Sequence, residues 1–211
     1  MDKNYWNKIY ANKVIENNNS PFAEFCLENY FNAGETVVDI AGGNGRDSIY
    51  FYNNNINVHL IDQSLNKKHI REKLKQIPNN KYNFSLYRDN ILDFDYNKIS
   101  IINFFYLRWI LHAINVEEEE ILLKRLSSKL LLGGLICIEA RTTNDHLFGV
   151  GENLGNNSYF TDHFRRFIDL KKFLKKVENY NLKCIYSIES DGYSILKKDN
   201  PVLMRAILKK I

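Results

Sequence analysis

Apolar residues along this chain follow two rhythms, and the alternation between them predicts the architecture. Short, dense apolar runs at about 36–41, 57–61, 82–88, 99–106 and 135–140 have the length and composition of buried strands. Between them, apolar residues recur at helical spacing over about 45–53, 64–77 and 117–132, and again over 170–180. Two further runs, near 182–189 and 202–209, are parted by the turn signal Asp199-Asn200-Pro201. Ahead of the first strand, 2–16 and 21–31 read as helices. Asn17-Asn18-Asn19 separates them, and Ser20 with Pro21 suits an N-cap and first turn. Strand alternating with helix predicts an α/β fold: a doubly wound, seven-stranded sheet, mostly parallel with an antiparallel last strand, and helices on both faces. Residues 141–166 keep neither rhythm and are expected to be a long loop rich in Gly, Asn and aromatic residues. The chain is read as a single domain over 1–211, with a helical cap at 1–33 and an insertion at 141–166 that folds over the acceptor side as a lid.

Composition changes this picture little. Hydrophobic residues make up 45% of the 211 and charged ones 26%, enough for a core, and a net charge of +4 is too mild to argue for nucleic acid. Cys26, Cys137 and Cys184 are odd in number and lack C-x-x-C spacing, which speaks against a disulfide framework. No His/Cys cluster has zinc-site spacing, so no metal is expected. The opening Asp2-Lys3-Asn4-Tyr5-Trp6 has no apolar signal core. The apolar stretch 99–114 is interrupted by Ser100, Asn103, Arg108 and His112 and is too short to span a bilayer. The expectation is a cytoplasmic protein without membrane insertion.

The sharpest chemical signal is Asp39-Ile40-Ala41-Gly42-Gly43-Asn44-Gly45-Arg46-Asp47, between the first strand and a helix. Strand, glycine turn and helix present backbone N–H groups to a ligand at a helix N-terminus, and glycine lets the backbone approach it closely. The third glycine of a G-x-G-x-x-G dinucleotide site is missing, which disfavours a nicotinamide-dependent oxidoreductase, and there is no G-x-x-x-x-G-K-S/T. Asp62, 17 residues past Gly45, closes the second strand. It brings a carboxylate beside the turn, able to accept hydrogen bonds from two ribose hydroxyls.

With these residues the chain resembles the class I S-adenosylmethionine-dependent methyltransferases, a Rossmann-like fold whose first motif is an acid followed by G-x-G-x-G. Here the motif reads Asp39-x-Ala41-x-Gly43-x-Gly45, with alanine in place of the first glycine. The resemblance covers nearly the whole chain and implies S-adenosylmethionine as cofactor and S-adenosylhomocysteine as product. It implies that the backbone of Ala41, Gly43 and Gly45 faces the methionine part and that Asp39 orients the loop or the amino group. Asp62 would bind the ribose, Gln63 would lie against the adenine, and Asp89-Asn90 would meet the adenine amino group. Further stretches resemble a narrower group of small bacterial methyltransferases of glycan and capsule modification. They are Tyr5-Trp6 with Tyr10, Ser20-Pro21-Phe22-Ala23-Glu24-Phe25, Gly43-Asn44-Gly45-Arg46-Asp47-Ser48, the residues from Leu107 to Ile114, Asp162-His163-Phe164-Arg165-Arg166-Phe167, and Asp191-Gly192-Tyr193. Tyr5, Trp6 and Tyr10 would cover the cofactor or form the apolar face of a packed helix.

Ligands of open α/β sheets sit beyond the carboxyl ends of the strands. Arg108 and Trp109 fall there after the fourth strand, and 139–143 after the fifth. Four of the nine arginines, Arg108, Arg141, Arg165 and Arg166, occupy the acceptor-side regions. A guanidinium fork suits carboxylate or phosphate, which predicts a small anionic acceptor, and the resemblance implies that it is a nucleotide-linked or phosphorylated sugar. The alternative is that these arginines pair with Glu139, Asp145, Glu152 or Asp162 and staple the lid. A hydroxyl acceptor also needs a base near neutral pH. Among five histidines His163 is favoured, with His112, one turn beyond Arg108, second. An ionised phosphate or phosphoramidate oxygen would need no base. The leading reading is O-methylation of a small anionic acceptor in surface-polysaccharide biosynthesis. An RNA or protein methyltransferase, and a non-catalytic S-adenosylmethionine-binding partner subunit, remain as alternatives.

Overall fold

The computed structural model describes residues 18–77, 81–195 and 199–211. Ser20 caps α1 (Pro21–Tyr30), its Oγ accepting the Ala23 N–H at 3.1 Å, and Pro21 fills a first-turn position where no donor is needed. Then follow β1 (Thr36–Ile40), α2 (Arg46–Asn53), β2 (Asn57–Ile61), α3 (Lys67–Leu74), β3 (Phe84–Tyr87), β4 (Phe104–Arg108), α4 (Val116–Lys129) and β5 (Leu135–Arg141). Three short strands, β6 (Glu152–Gly155), β7 (Ser158–Phe160) and β8 (Phe164–Arg166), precede α5 (Leu170–Val177), β9 (Leu182–Ser190) and β10 (Leu203–Lys210). The main sheet has the order β3-β2-β1-β4-β5-β10-β9. Strands β1 to β5 are parallel, and β10 runs antiparallel to both β5 and β9. The expected seven-stranded sheet with its antiparallel last strand is the one observed. Strand order reverses between β1 and β4, the switch point where open α/β sheets form a crevice.

Alternation along the strands sends side chains to two faces. Val38, Ile40, Phe105 and Ile136 pack with Leu122 and Leu126 of α4 and Phe173 of α5. Val37, Phe104, Cys137 and Ile207 face the other way, toward Phe22 of α1 and Phe51 of α2. Helices therefore cover both faces, as the strand–helix alternation predicts.

Three expectations need correction. The fourth strand begins at Phe104 and runs to Arg108, rather than spanning 99–106. Ile99 and Ile102 are buried in the core, but Asn103 Oδ1 accepts the Thr36 N–H at 2.9 Å and the parallel ladder starts only beyond it. An apolar run marks burial, not the first ladder bond. The helix expected at 64–77 is shorter, because Asn66 caps it by accepting the His69 N–H at 3.1 Å. Residues 141–166 are not loop throughout, since β6, β7 and β8 form a second, antiparallel sheet. Asn156 and Asn157, at φ 51° and 59°, make the two-residue hairpin turn between β6 and β7. The helix expected at 2–16, with Tyr5, Trp6 and Tyr10, lies outside the described residues. Among the described residues no helix is long and apolar enough to cross a membrane.

A buried carboxylate fastens α1 to the sheet. Asp47, in the first turn of α2, accepts the Ser20 N–H at 2.7 Å, the Ser20 hydroxyl at 2.8 Å and the Tyr106 hydroxyl at 2.9 Å. Burial, reinforced by the Asp47 charge, pushes the Tyr106 phenol well above its ordinary range, so it stays a donor. Hydrogen bonds to a charged partner are worth about 1.5–3 kcal/mol. Tyr106→Phe is therefore expected to cost about 2 kcal/mol. Asp47→Ala should cost more, because it strips the Ser20 N–H of its acceptor and leaves the Ser20 and Tyr106 hydroxyls, 3.1 Å apart, with only each other. Urea unfolding at pH 7 measures both, and a midpoint unchanged by Asp47→Ala would refute the anchor.

Candidate functional site

The carboxyl end of β1 turns into α2 through Ala41 (φ 59°), Gly42, Gly43 (φ 57°), Asn44 and Gly45 (φ 74°), with Gly45 as N-cap. Alternate left-handed residues curl the turn, and its amides are bonded within the protein: Ala41 N–H to Ile61 O at 2.8 Å, Gly43 N–H to Asp62 and Gly45 N–H to Gly42 O at 2.9 Å. Ala41 bears a Cβ in this region, which costs about 1–2 kcal/mol relative to right-handed backbone. Gly42 is required for a different reason: a Cβ there would overlap Leu60 Cδ1 and the Asp39 carboxylate.

Two carboxylates hold this turn. Asp39 is 3% exposed and accepts the Ser48 hydroxyl at 2.6 Å. Burial raises its pKa to about 7; the Ser48 bond and Arg108 oppose the rise, and Asp47 and Asp62 add to it. Asp62 accepts the Gly43 N–H at 3.0 Å on one oxygen and the Ser64 N–H at 2.6 Å on the other. Burial raises its pKa too, against those two backbone bonds. Beside it, Gln63 Nε2 and Ser64 Oγ are buried without a hydrogen-bond partner among the described residues. Asp89 and Asn90 lie exposed beyond β3, where Asp89 Oδ1 accepts the Asn90 N–H at 2.8 Å and Asn90 Oδ1 the Leu92 N–H at 3.0 Å. The structure thus brings Asp39, Ala41, Gly43, Gly45, Asp62 and Gln63 together at one edge of the sheet. Asp89 and Asn90 follow β3 on that same edge. Tyr10 is outside the described residues.

The four acceptor-side arginines form ion pairs rather than an open anion pocket. Arg108 Nε donates to Glu139 Oε1 at 2.9 Å and Nη2 to Ser194 Oγ at 3.0 Å. Arg141 Nη1 donates to both Asp145 oxygens at 3.0 and 2.9 Å, and Nη2 pairs with Asp199. Arg165 Nη1 donates to Thr161 Oγ1 at 2.5 Å and Asp162 Oδ1 at 3.0 Å. Arg166 donates to the carbonyls of Ile114 at 2.9 Å and Leu111 at 3.0 Å, and pairs with Glu119. A buried guanidinium needs a counter-charge. Glu139, Asp145 and Asp162 are among the partners the sequence offered, whereas Asp199 and Glu119 come from distant segments.

His112 packs against Trp109, and His163 is near enough for its charge to bear on His112. His112 lies in the 3-10 turn Leu111–Ala113, not on a helix shared with Arg108, and is 3% exposed. Burial, then the charges of Arg141, His163, Arg165 and Arg166, hold its pKa well below the ordinary value. His163 is 7% exposed, with Nδ1 3.0 Å from Asp162 Oδ1. Partial burial pushes Asp162 up, but the Thr161 hydroxyl, His163 and Arg165 bring it down to about 2. The 3.0 Å contact between the two side chains is an ion-pair distance without hydrogen-bond geometry at Nδ1. A cavity of about 270 Å³ opens beside this pair, lined by Leu147, Val150, Tyr159 and Phe167 with Asp162 and Arg165. The sequence reading named Trp109 only by position. The structure makes it central: its φ is 62°, and its ring lies 5.2 Å from the Arg141 guanidinium, 5.7 Å from that of Arg108 and edge-to-face with His112 at 4.9 Å.

Two outcomes follow for the turn. Gly42→Ala should destabilise by about 1–3 kcal/mol through overpacking, whereas Ala41→Gly should be neutral or stabilising by up to about 1 kcal/mol as the left-handed strain is relieved. Asp39 has a folded-state pKa near 7 against an ordinary 3.8, so the folded state keeps its proton longer than the unfolded chain. Its contribution to stability is full below about pH 4 and is lost as pH rises through about 7. Asp39→Asn should therefore gain stability relative to wild type at pH 8 compared with pH 5. Urea midpoints at both values check it, and an identical wild-type–variant difference at each would exclude a raised pKa.

No protein-family model matches the chain, and no curated protein matches it. Solved structures do. The 1,6-didemethyltoxoflavin-N1-methyltransferase of Burkholderia thailandensis, crystallised with 1,6-didemethyltoxoflavin and S-adenosylhomocysteine, is similar with a TM-score of 0.73 over 99% of this chain and 86% of its own, at 12% identity. A S-adenosylmethionine-dependent methyltransferase from Methanosarcina mazei has a TM-score of 0.67 over 88% of this chain and 96% of its own, at 16% identity. The cyclase SpnF has 0.66 over 89% of this chain and 79% of its own, at 9% identity. Likeness at such identities concerns architecture: this chain has the Rossmann-like fold of the class I S-adenosylmethionine-dependent methyltransferases.

Proposed function

We propose that this chain is a S-adenosylmethionine-dependent methyltransferase acting on a small-molecule acceptor. The observation that carries the reading is Asp62, reaching from the end of β2 to bond the Gly43 amide inside the left-handed turn at 3.0 Å. A carboxylate beside the glycine turn at the end of β1, next to the switch point of the sheet, would suit a ribose diol. The residues fit the cofactor: Gly42 leaves no room for a Cβ between Asp39 and Leu60, and Gln63 Nε2 and Ser64 Oγ are buried with no protein partner among the described residues. Ala41, Gly43 and Gly45 would hold the methionine part, Asp39 the loop, Asp62 the ribose, Gln63 and Asp89-Asn90 the adenine, with Tyr10 as cover. Bound there, S-adenosylmethionine supplies an electrophilic methyl group on a sulfonium.

The chain's own part is to position, shield and deprotonate. Methyl transfer is an in-line displacement, so orientation carries much of the barrier. Arg166 fastens β8 to the turn after β4, on which His112 lies. His163, beside Asp162, would take the proton of a hydroxyl acceptor. The B. thailandensis enzyme acts on a small heterocycle, which favours a small acceptor by analogy of fold alone, and the cyclase cautions that the fold also serves other chemistry. A sugar intermediate of surface-polysaccharide biosynthesis is the acceptor class that the sequence resemblance implies. An anionic handle on it would have to meet Arg165, whose side chain is 18% exposed and lines the cavity.

Calorimetry should show S-adenosylhomocysteine binding that Asp62→Asn weakens at least about tenfold through the lost charge-assisted bonds. Binding of NADH instead would sink the reading. In a methyl-transfer screen over nucleotide-linked sugars, phosphorylated sugars and phosphoramidates, His163→Ala should lower kcat about 10²–10⁴-fold on a hydroxyl acceptor. Full turnover of that variant across pH 6–9 would remove His163 as the base.

A further inference from the structure

Beyond β4 the fold buries two polar atoms and gives them nothing to bond. Trp109 Nε1 and His112 Nδ1 are closed off from solvent without a hydrogen-bond partner among the described residues. Such atoms are rare in native proteins, and a ligand that satisfies them recovers their desolvation cost. Here the two side chains touch, edge-to-face at 4.9 Å. They stand just past the carboxyl end of β4, the edge of the sheet on which the turn at 41–45 also opens. The backbone is held against its preference to put them there: Trp109 has φ 62°, an uncommon state for a bulky residue, while its N–H completes the ladder to Glu139 O at 2.9 Å. Strain of this kind, persisting because neighbours over-determine it, clusters at ligand sites.

The two atoms differ in kind. An indole Nε1–H can only donate, and the Nδ1 of a neutral imidazole protonated at Nε2 can only accept. Burial first, then the positive charges of Arg141, His163, Arg165 and Arg166, favour the neutral ring, and assigning its proton to Nε2 leaves Nδ1 as the acceptor. A donor beside an acceptor is complementary to a group that accepts one hydrogen bond and donates another. A hydroxyl does both, whereas carboxylates and fully ionised phosphates only accept. The arginines nearby are already engaged by Glu139, Asp145, Asp199 and Glu119. We infer that Trp109 and His112 seat a neutral hydroxyl of the methyl acceptor other than the one His163 would deprotonate, Trp109 donating to its oxygen and His112 accepting its hydrogen bond. This rests on the methyltransferase reading and deepens it: the acceptor carries that second hydroxyl, recognised by paired dipoles.

The test uses the full chain and three substitutions. Trp109→Phe keeps an aromatic ring and deletes the donor. His112→Leu deletes the acceptor, and His112→Asn keeps an amide oxygen near the place of Nδ1. Each is assayed for S-adenosylhomocysteine binding, for thermal stability, and for methyl transfer to methyl glucoside, uridine diphosphate glucose, glucose 1-phosphate, phenol, and amine and thiol controls. Removing an unsatisfied buried donor should leave the Tm of Trp109→Phe unchanged or raised by about 2–4 °C, with S-adenosylhomocysteine binding intact. Its KM for the methylated alcohol should rise at least about tenfold with kcat falling less. His112→Asn should recover most of what His112→Leu loses. The inference is overturned if Trp109→Phe keeps its KM, or if its Tm and S-adenosylhomocysteine binding fall together. It is also overturned if wild type binds S-adenosylhomocysteine yet methylates no alcohol in the panel. Failure of wild type to bind S-adenosylhomocysteine instead strikes the methyltransferase reading itself.

Discussion

Glu139 lies with 1% of its surface exposed, its carboxylate between two guanidiniums, Arg108 Nε at 2.9 Å on one side and Arg205 Nε at 2.9 Å on the other. Three charges so far from water persist only while each is paired, and removing one member strands the others. The pairing is also a register. Arg108 stands directly opposite Glu139 across β4 and β5, and Arg205 opposite Glu139 across β5 and β10. A slip in any of these strands would carry a charge to the apolar face. The triad therefore fixes where β4 ends, and with it the point at which Trp109 leaves the sheet. It recruits the surroundings as well: Arg205 lies 4.1 Å from the Tyr193 ring and 5.2 Å from Phe22 of α1. On the same face, Asp39 and Tyr106 are register partners, tied through Ser48, Asp47 and Ser20 to α2 and α1. A belt of polar groups crosses the sheet beneath its carboxyl edge and links α1, α2, β1, β4, β5 and β10.

The belt is unevenly compensated. Glu139 has two cations, while Asp39 accepts only a hydroxyl and makes no ion pair among the described residues. Asp47 and Asp62 stand close enough to raise its proton affinity further. Three carboxylates, Asp39, Asp47 and Asp62, thus lie near one another at the glycine turn, with Arg46 beside Asp47 and Arg108 acting on Asp39 in the opposite sense.

What the sequence made legible was local. The glycine turn, Asp62 at a strand end and the Ser20 cap are each set by neighbours a few residues away, and all three stand where the spacing put them. Strand–helix alternation gave the sheet because both faces are buried and periodicity reports burial. The start of β4 was not legible, since Ile99 and Ile102 are as buried as ladder residues without belonging to the ladder. The small sheet at 152–166 was hidden because its strands are short and largely exposed. The Asn156-Asn157 hairpin was the signal to use. Partner choice lay furthest from reach: Asp199, Glu119 and Arg205 meet their ions only through tertiary structure. The left-handed backbone of Trp109 comes from packing rather than from its own preference.

The arginines that sequence chemistry assigned to the acceptor have a different consequence in the fold. Arg166 bonds the carbonyls of Leu111 and Ile114, on either side of His112, and pairs with Glu119 of α4. β8 is therefore fixed against the turn after β4 by a guanidinium that cannot lose its charge. His163 stands just before β8 and is carried by that attachment to the neighbourhood of His112. Arg141, clasped by Asp145 and Asp199, backs the opposite side through the Trp109 ring. Each cation spends its charge on an internal carboxylate and gives the site position instead. Under the proposed reading, a wall built this way would offer oriented dipoles that discriminate by the direction of hydrogen bonds, and specificity would then depend on how rigidly the arginine pairs hold the insertion to the sheet.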